Sequence, residues 1–144
     1  MKKNLMIAFA RTLSQVIEET QTIQQGLEPY YTKLREALDQ AHLDQIDAAN
    51  LADIKAEFQD GTERYRSLQE RLQQLQAPAR FLGKHRSLVT AYTTYVTACQ
   101  AMTDSVNLGS HQVDQIQFDQ AETDQTEAMN RIIRLVQTLM QTQA

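Results

Sequence analysis

The sequence holds few of the residues that interrupt regular structure. Among 144 residues there are four glycines and two prolines, and tryptophan is missing altogether. Such a chain turns rarely, which excludes a loop-rich arrangement of many short elements. A single cysteine, Cys99, excludes an internal disulfide and any CxxC redox or zinc motif. No glycine-rich phosphate loop is present, and no Ser-His-Asp candidate has supporting context. Long apolar runs are missing as well. The stretch Leu5 to Ala10 follows Lys2 and Lys3 like a signal peptide, but Arg11 stops it. A signal core needs about 7–15 apolar residues and a membrane span about 20. The opening therefore reads as the first turns of a core helix, and the expected location is cytoplasmic.

What the chain does have is helix-forming composition: Leu, Ala, Glu, Arg and 20 glutamines. Its length suits one domain over residues 1–144. The net charge of −4 keeps a small domain soluble and argues against a general nucleic-acid binder.

Apolar residues recur at alternating spacings of three and four, the signature of one helix face. The stripes run from Met6 to Leu34, from Leu51 to Leu75, from Phe81 to Val106 and from Phe118 to Leu139. The stretch "SLVTAYTTYVTAC" is rich in β-branched residues that favour strands. Its large side chains nevertheless keep the helical spacing, so it is assigned to a helix. The expected fold is all-α, an up-down-up-down four-helix bundle of long antiparallel helices.

Helix two is expected at about 45–76, capped by Asp44 or Asp47, and helix three at about 79–107 after Pro78. Gly109 reads as a C-terminal stop and Ser110 as the N-cap of helix four, at about 111–142. The first helix passes through "QGLEPYY", where Gly26 weakens it and Pro29 removes a donor. A kink or break near Gly26–Pro29 is predicted.

With short connections, antiparallel neighbours lie level when their residue numbers sum to about twice the turn position. This places Tyr30, Tyr31, Tyr65, Tyr92 and Tyr95 in one central band, with Glu122 and Gln125 opposite and Gly61 opening space at the seam. The first reading is a wide core layer whose hydroxyls bond to Glu122, Gln125 or water. The second is a ligand pocket formed by Tyr30, Tyr65, Tyr92, Tyr95, Glu122 and Gln125, since bundles build ligand sites between their helices. His85 falls beside Val16, Leu72 and Ile132 as a neutral core histidine. None of His42, His85 or His111 has a glutamate three residues before it, so the ligand pattern of di-iron bundles is missing. Cys99 reads as inert packing, and no metal, cofactor or catalytic activity is expected.

The charges are sorted by end. Residues 1–20, 63–90 and 129–144 form one end with eleven cations and four acids, a net of +7. The other end has three cations and fourteen acids, a net of −11. Arg71, Arg80, Lys84, Arg86 and Arg131 are the candidate partner-binding residues of the basic end.

Three functional expectations follow. The favoured one is a non-catalytic interaction or adaptor protein that binds a protein partner or a second copy of itself. The alternatives are a small-ligand binder using the tyrosine band, and a peripheral binder of anionic surfaces such as a membrane.

Overall fold

In a computed structural model that describes residues 2–141, the chain forms four long helices. They are α1 (Lys2–Asp39), α2 (Ala48–Gln74), α3 (Leu82–Asp104) and α4 (Gln115–Gln141). Contacts between the helices fix an up-down-up-down course. Phe9 near the start of α1 stacks on Phe81 just before α3, at 6.1 Å. Tyr31 near the end of α1 stacks on Phe118 near the start of α4, at 6.2 Å. No helix is long and apolar enough to cross a membrane among the described residues.

Of the predicted kink or break near Gly26–Pro29, a break does not occur, and the helix runs through Pro29. Gln25, Gly26 and Pro29 are all exposed, so the carbonyl deprived of its donor by Pro29 lies on the solvent side. Buried Ile23 and Leu34 hold the helix on either side. In α3 the threonines accept a helical backbone by bonding back to it. Thr93 Oγ1 donates to the Val89 carbonyl at 2.9 Å, and Thr103 Oγ1 to the Cys99 carbonyl at 3.0 Å.

The helix ends show where local chemistry was readable. Asp47 caps α2, its carboxylate accepting from the Asn50 amide at 2.7 Å. Asp44 instead lies in a 3-10 turn, Leu43–Gln45, and a second such turn, Ala79–Phe81, separates Pro78 from α3. The α3–α4 connection departs from expectation. Helix α3 stops at Asp104, and β1 (Val106–Asn107) pairs antiparallel with β2 (Gln112–Val113). His111, not Gly109, takes the positive φ of 53°. Asp114, not Ser110, caps α4 by accepting from the Gln117 amide at 3.0 Å. The hairpin is held from α2, where Lys55 Nζ donates to the Val106 carbonyl at 2.5 Å. The last residue of the predicted helix four, 142, lies outside the described residues.

Packing between the helices is uneven. Helices α3 and α4 pack most extensively, while α1 and α4 touch least of the adjacent pairs. The core is correspondingly divided into two lobes. One, at the basic end, gathers Phe9, Leu13, Val16, Leu72, Leu88 and Ile132; the other, at the acidic end, gathers Leu34, Leu51, Ile54, Val106 and Phe118. Leu27 packs against both.

Candidate functional site

Between the lobes, where α1 and α4 stand apart, lies a cleft of about 1100 Å³. Its position follows from the residues α4 offers at that height. Between Phe118 and Ile132 the core-facing positions of α4 are Ala121, Gln125 and Ala128, too small or too polar to fill the bundle. Helix α2 presents Gly61 and Thr62 at the same level. The space left at Gly61 is not empty, because Leu27 fills it: a Cβ there would lie 2.6 Å from Leu27 Cδ1.

The floor comes from α2 and α3 and is aromatic and sulfur-bearing: Phe58, Tyr65, Tyr95, Cys99 and Met102. Tyr65 and Tyr95 meet edge to face with ring centroids 5.0 Å apart, the preferred approach of a negative ring face and a positive edge. The α1 wall carries Gln21, Gln24, Gln25, Glu28 and Tyr31, and the α4 wall Glu122, Thr123, Gln125, Thr126 and Glu127.

Burial sets the protonation of the floor. It holds the Tyr65 and Tyr95 phenols above their ordinary range, as it does that of Tyr92 outside the cleft, with neighbouring ionisable groups raising them further. Hydrogen bonding from Gln24 partly offsets the effect at Tyr95, where the amide Nε2 donates to Oη at 3.1 Å. Burial likewise pushes the Cys99 thiol up to about 12, against a smaller opposing hydrogen bond with Tyr95. All four groups are neutral at physiological pH.

Of the residues expected in a tyrosine pocket, Tyr65, Tyr95, Glu122 and Gln125 do line the cleft. Tyr92 does not: it is completely buried, with its hydroxyl 2.7 Å from Thr20 Oγ1. Tyr30 does not either, packing against the acidic-end lobe while the adjacent Tyr31 faces the cleft, one residue and about 100° further round the helix. The expected hydroxyl partners also differ. Gln24 and Thr20 meet Tyr95 and Tyr92, while Gln125 Nε2 donates to the Ala98 carbonyl at 3.4 Å and Glu122 lies 3.7 Å from Arg35. Gln24, Glu28, Thr62, Thr103, Thr126 and Glu127 complete the site without having been picked out. Their shared signal is polar residues at or beside seam positions of different helices at one height.

His85 sits in the basic-end lobe as a core residue. Its ring meets Phe9 edge-on at 5.5 Å, with the backbone of Leu72 and Leu75 beside it. Burial lowers its pKa, and its Nδ1 has no hydrogen-bond partner among the described residues. No group of three or more potential metal ligands occurs among the described residues.

At the basic end, Arg71 is paired with Glu19 at 2.7 Å and reaches Gln15 at 3.3 Å. Arg80 lies over the Phe81 ring at 4.7 Å. Lys84, Arg86 and Arg131 are exposed and have no carboxylate partner among the described residues. Exposed Ile7, Leu82 and Ile133 lie in the same end of the chain's fold.

Compared with protein-family models, curated proteins and solved structures, the chain matches none.

Proposed function

We propose that the protein is a small non-catalytic binding module whose cleft between α1 and α4 takes a ligand with a bulky apolar body. The observation that carries this reading is the split core. Four heptad stripes of this length could fill a bundle end to end, yet here the apolar packing stops midway around a cleft of about 1100 Å³. An aromatic floor with a few polar groups on its walls is the usual composition of a small-molecule site. The floor chemistry favours binding over catalysis, because Tyr65, Tyr95 and Cys99 are all held in their neutral, unactivated forms.

The lack of tryptophan makes the test direct. Thr123 is exposed on the α4 wall, so Thr123→Trp introduces a single fluorophore beside the cleft. Aromatic and aliphatic compounds that raise the melting temperature should also change its emission, and Thr126→Phe, which narrows the mouth, should weaken both effects. A broad compound set that moves neither signal would overturn the reading.

A second reading rests on the basic end, where exposed Lys84, Arg86 and Arg131 accompany exposed Ile7, Leu82 and Ile133. This combination suits an anionic surface on a protein partner, a membrane or the acidic end of another copy. Replacing Arg71, Arg80, Lys84 and Arg86 together by Gln should abolish sedimentation with anionic vesicles. Light scattering after size exclusion distinguishes self-association, which should appear at low salt and dissolve at high salt. A single buried thiol accords with the cytoplasmic location included in this proposal.

A further inference from the structure

The charges that face the cleft all have one sign. Glu28 projects from the α1 wall and Glu122 and Glu127 from the α4 wall, and among the described residues no lysine, arginine or histidine lines the space. The neighbouring cation Arg35 is engaged with Asp39 and Asp119, both at 2.7 Å, and stands farther from Glu122 at 3.7 Å. Below the carboxylates lie the rings of Phe58, Tyr65 and Tyr95, with Tyr31 on the α1 wall. Tyr65 and Tyr95, 2% and 5% exposed and with their phenols un-ionised, give the floor aromatic rings whose quadrupole attracts a nearby cation.

Resting on the cleft reading above, we propose that the ligand is an organic cation, a quaternary or bulky protonated ammonium carried on an apolar body. Carboxylates on both walls and rings on the floor act on the same charge from different sides. An anion of equal size meets repulsion from both features and finds no donor of positive charge. Neutral amides and hydroxyls on the walls, such as Gln21 and Thr126, accept either class and so do not discriminate.

Tetraphenylphosphonium and tetraphenylborate test this directly, being closely similar in size and opposite in charge, with triphenylphosphine oxide as a neutral probe. Binding to the full chain is read by calorimetry and by the emission of the Thr123→Trp variant. Each close cation–π contact is worth roughly 2- to 30-fold, so the phosphonium should bind at least about tenfold tighter than the oxide, and the borate most weakly. In a Glu28→Gln/Glu122→Gln/Glu127→Gln variant the preference for phosphonium over borate should largely collapse. In an Asp44→Asn/Asp53→Asn/Asp60→Asn variant, whose exposed positions do not line the cleft, it should persist.

Equal binding of all three probes would leave the cleft reading standing and overturn the cation inference. Equal loss of preference in the two variants would also overturn it, assigning the attraction to the acidic end as a whole. Failure of every probe to bind at millimolar concentration would overturn both readings.

Discussion

Arg35 Nη1 of α1 lies 2.7 Å from Asp119 Oδ1 of α4, joining two adjacent helices that otherwise touch little. The same guanidinium holds Asp39 at 2.7 Å and covers the Phe118 ring at 5.1 Å. The hydrogen bond to Asp119 is the largest cause holding its pKa above the ordinary value. It therefore closes the bundle just beyond the cleft on the acidic side. Because the Asp119 side chain is 58% exposed, the ion pair is heavily screened, and most of the effect rests on the ring contact. Arg35→Ala should cost about 1 kcal/mol in urea denaturation. The wild-type protein should lose less than that on raising the salt concentration, because the ring contact is not removed. A loss of 3 kcal/mol or more would mean that the α1–α4 junction depends on this residue far more than its exposure allows.

Gly61 and Leu27 make a second prediction. A methyl at position 61 would come 2.6 Å from Leu27 Cδ1, so something must move. The obstructing atom is the tip of a leucine that borders the cleft, and it has room to swing inward. Gly61→Ala gains about 1 kcal/mol of helix propensity and gives up part of it to that rotation. Stability should change by less than about 1 kcal/mol in either direction, while the displaced Leu27 narrows the cleft. Ligand affinity should drop with the melting temperature nearly unchanged, which calorimetry and thermal denaturation together can resolve.

The two cases mark how far the sequence could be read. The three-four spacing and the antiparallel course were enough to bring Tyr65, Tyr95 and Gln125 to one height and His85 beside Leu72, because both depend only on helix geometry. They were not enough to tell Tyr30 from Tyr31, since one residue rotates a side chain by about 100° and a small error in register reverses the assignment. Nor could spacing show that Leu27 occupies the room left by Gly61, which depends on a rotamer. The apolar stripe continues from Met102 to Val106 as though α3 did, and this concealed the hairpin. Val106 is fully buried, but as a strand residue whose carbonyl is held by Lys55. Continuity through Pro29 was likewise hidden, because a proline on the solvent face of a helix differs from one in the core only by its packing.

His85 predicts a pH dependence. Its folded pKa is lowered from the ordinary 6.5 by burial, so between the two values the unfolded chain binds more protons than the folded one. Its contribution to stability is complete above about pH 6.5 and is lost as the pH falls below it, at a slope of up to about 1.4 kcal/mol per pH unit. His85→Phe keeps a ring against Phe9 and removes the unpartnered Nδ1. That variant should lose less stability than the wild type between pH 7.5 and pH 5.5 in parallel urea titrations. Equal losses would assign the acid sensitivity to other groups.

Cys99 supplies a reporter already in place on the cleft floor. With its thiol pushed up to about 12, against an ordinary 9.0, the thiolate fraction at pH 8 falls by about 10³ relative to an unperturbed cysteine. The side chain is also buried, so a disulfide reagent must wait for the α1–α4 mouth or the whole bundle to open. Labelling of the native protein should therefore be at least about a thousandfold slower than labelling in urea at the same pH. Gly61→Ala and Arg35→Ala should then separate two routes to the thiol. If reagent enters through the cleft, the displaced Leu27 in the first variant should slow labelling, and the loosened junction in the second should speed it. If it enters only after global unfolding, both rates should follow stability alone. A cleft ligand that slows labelling more than its effect on melting temperature requires would place itself directly over this sulfur.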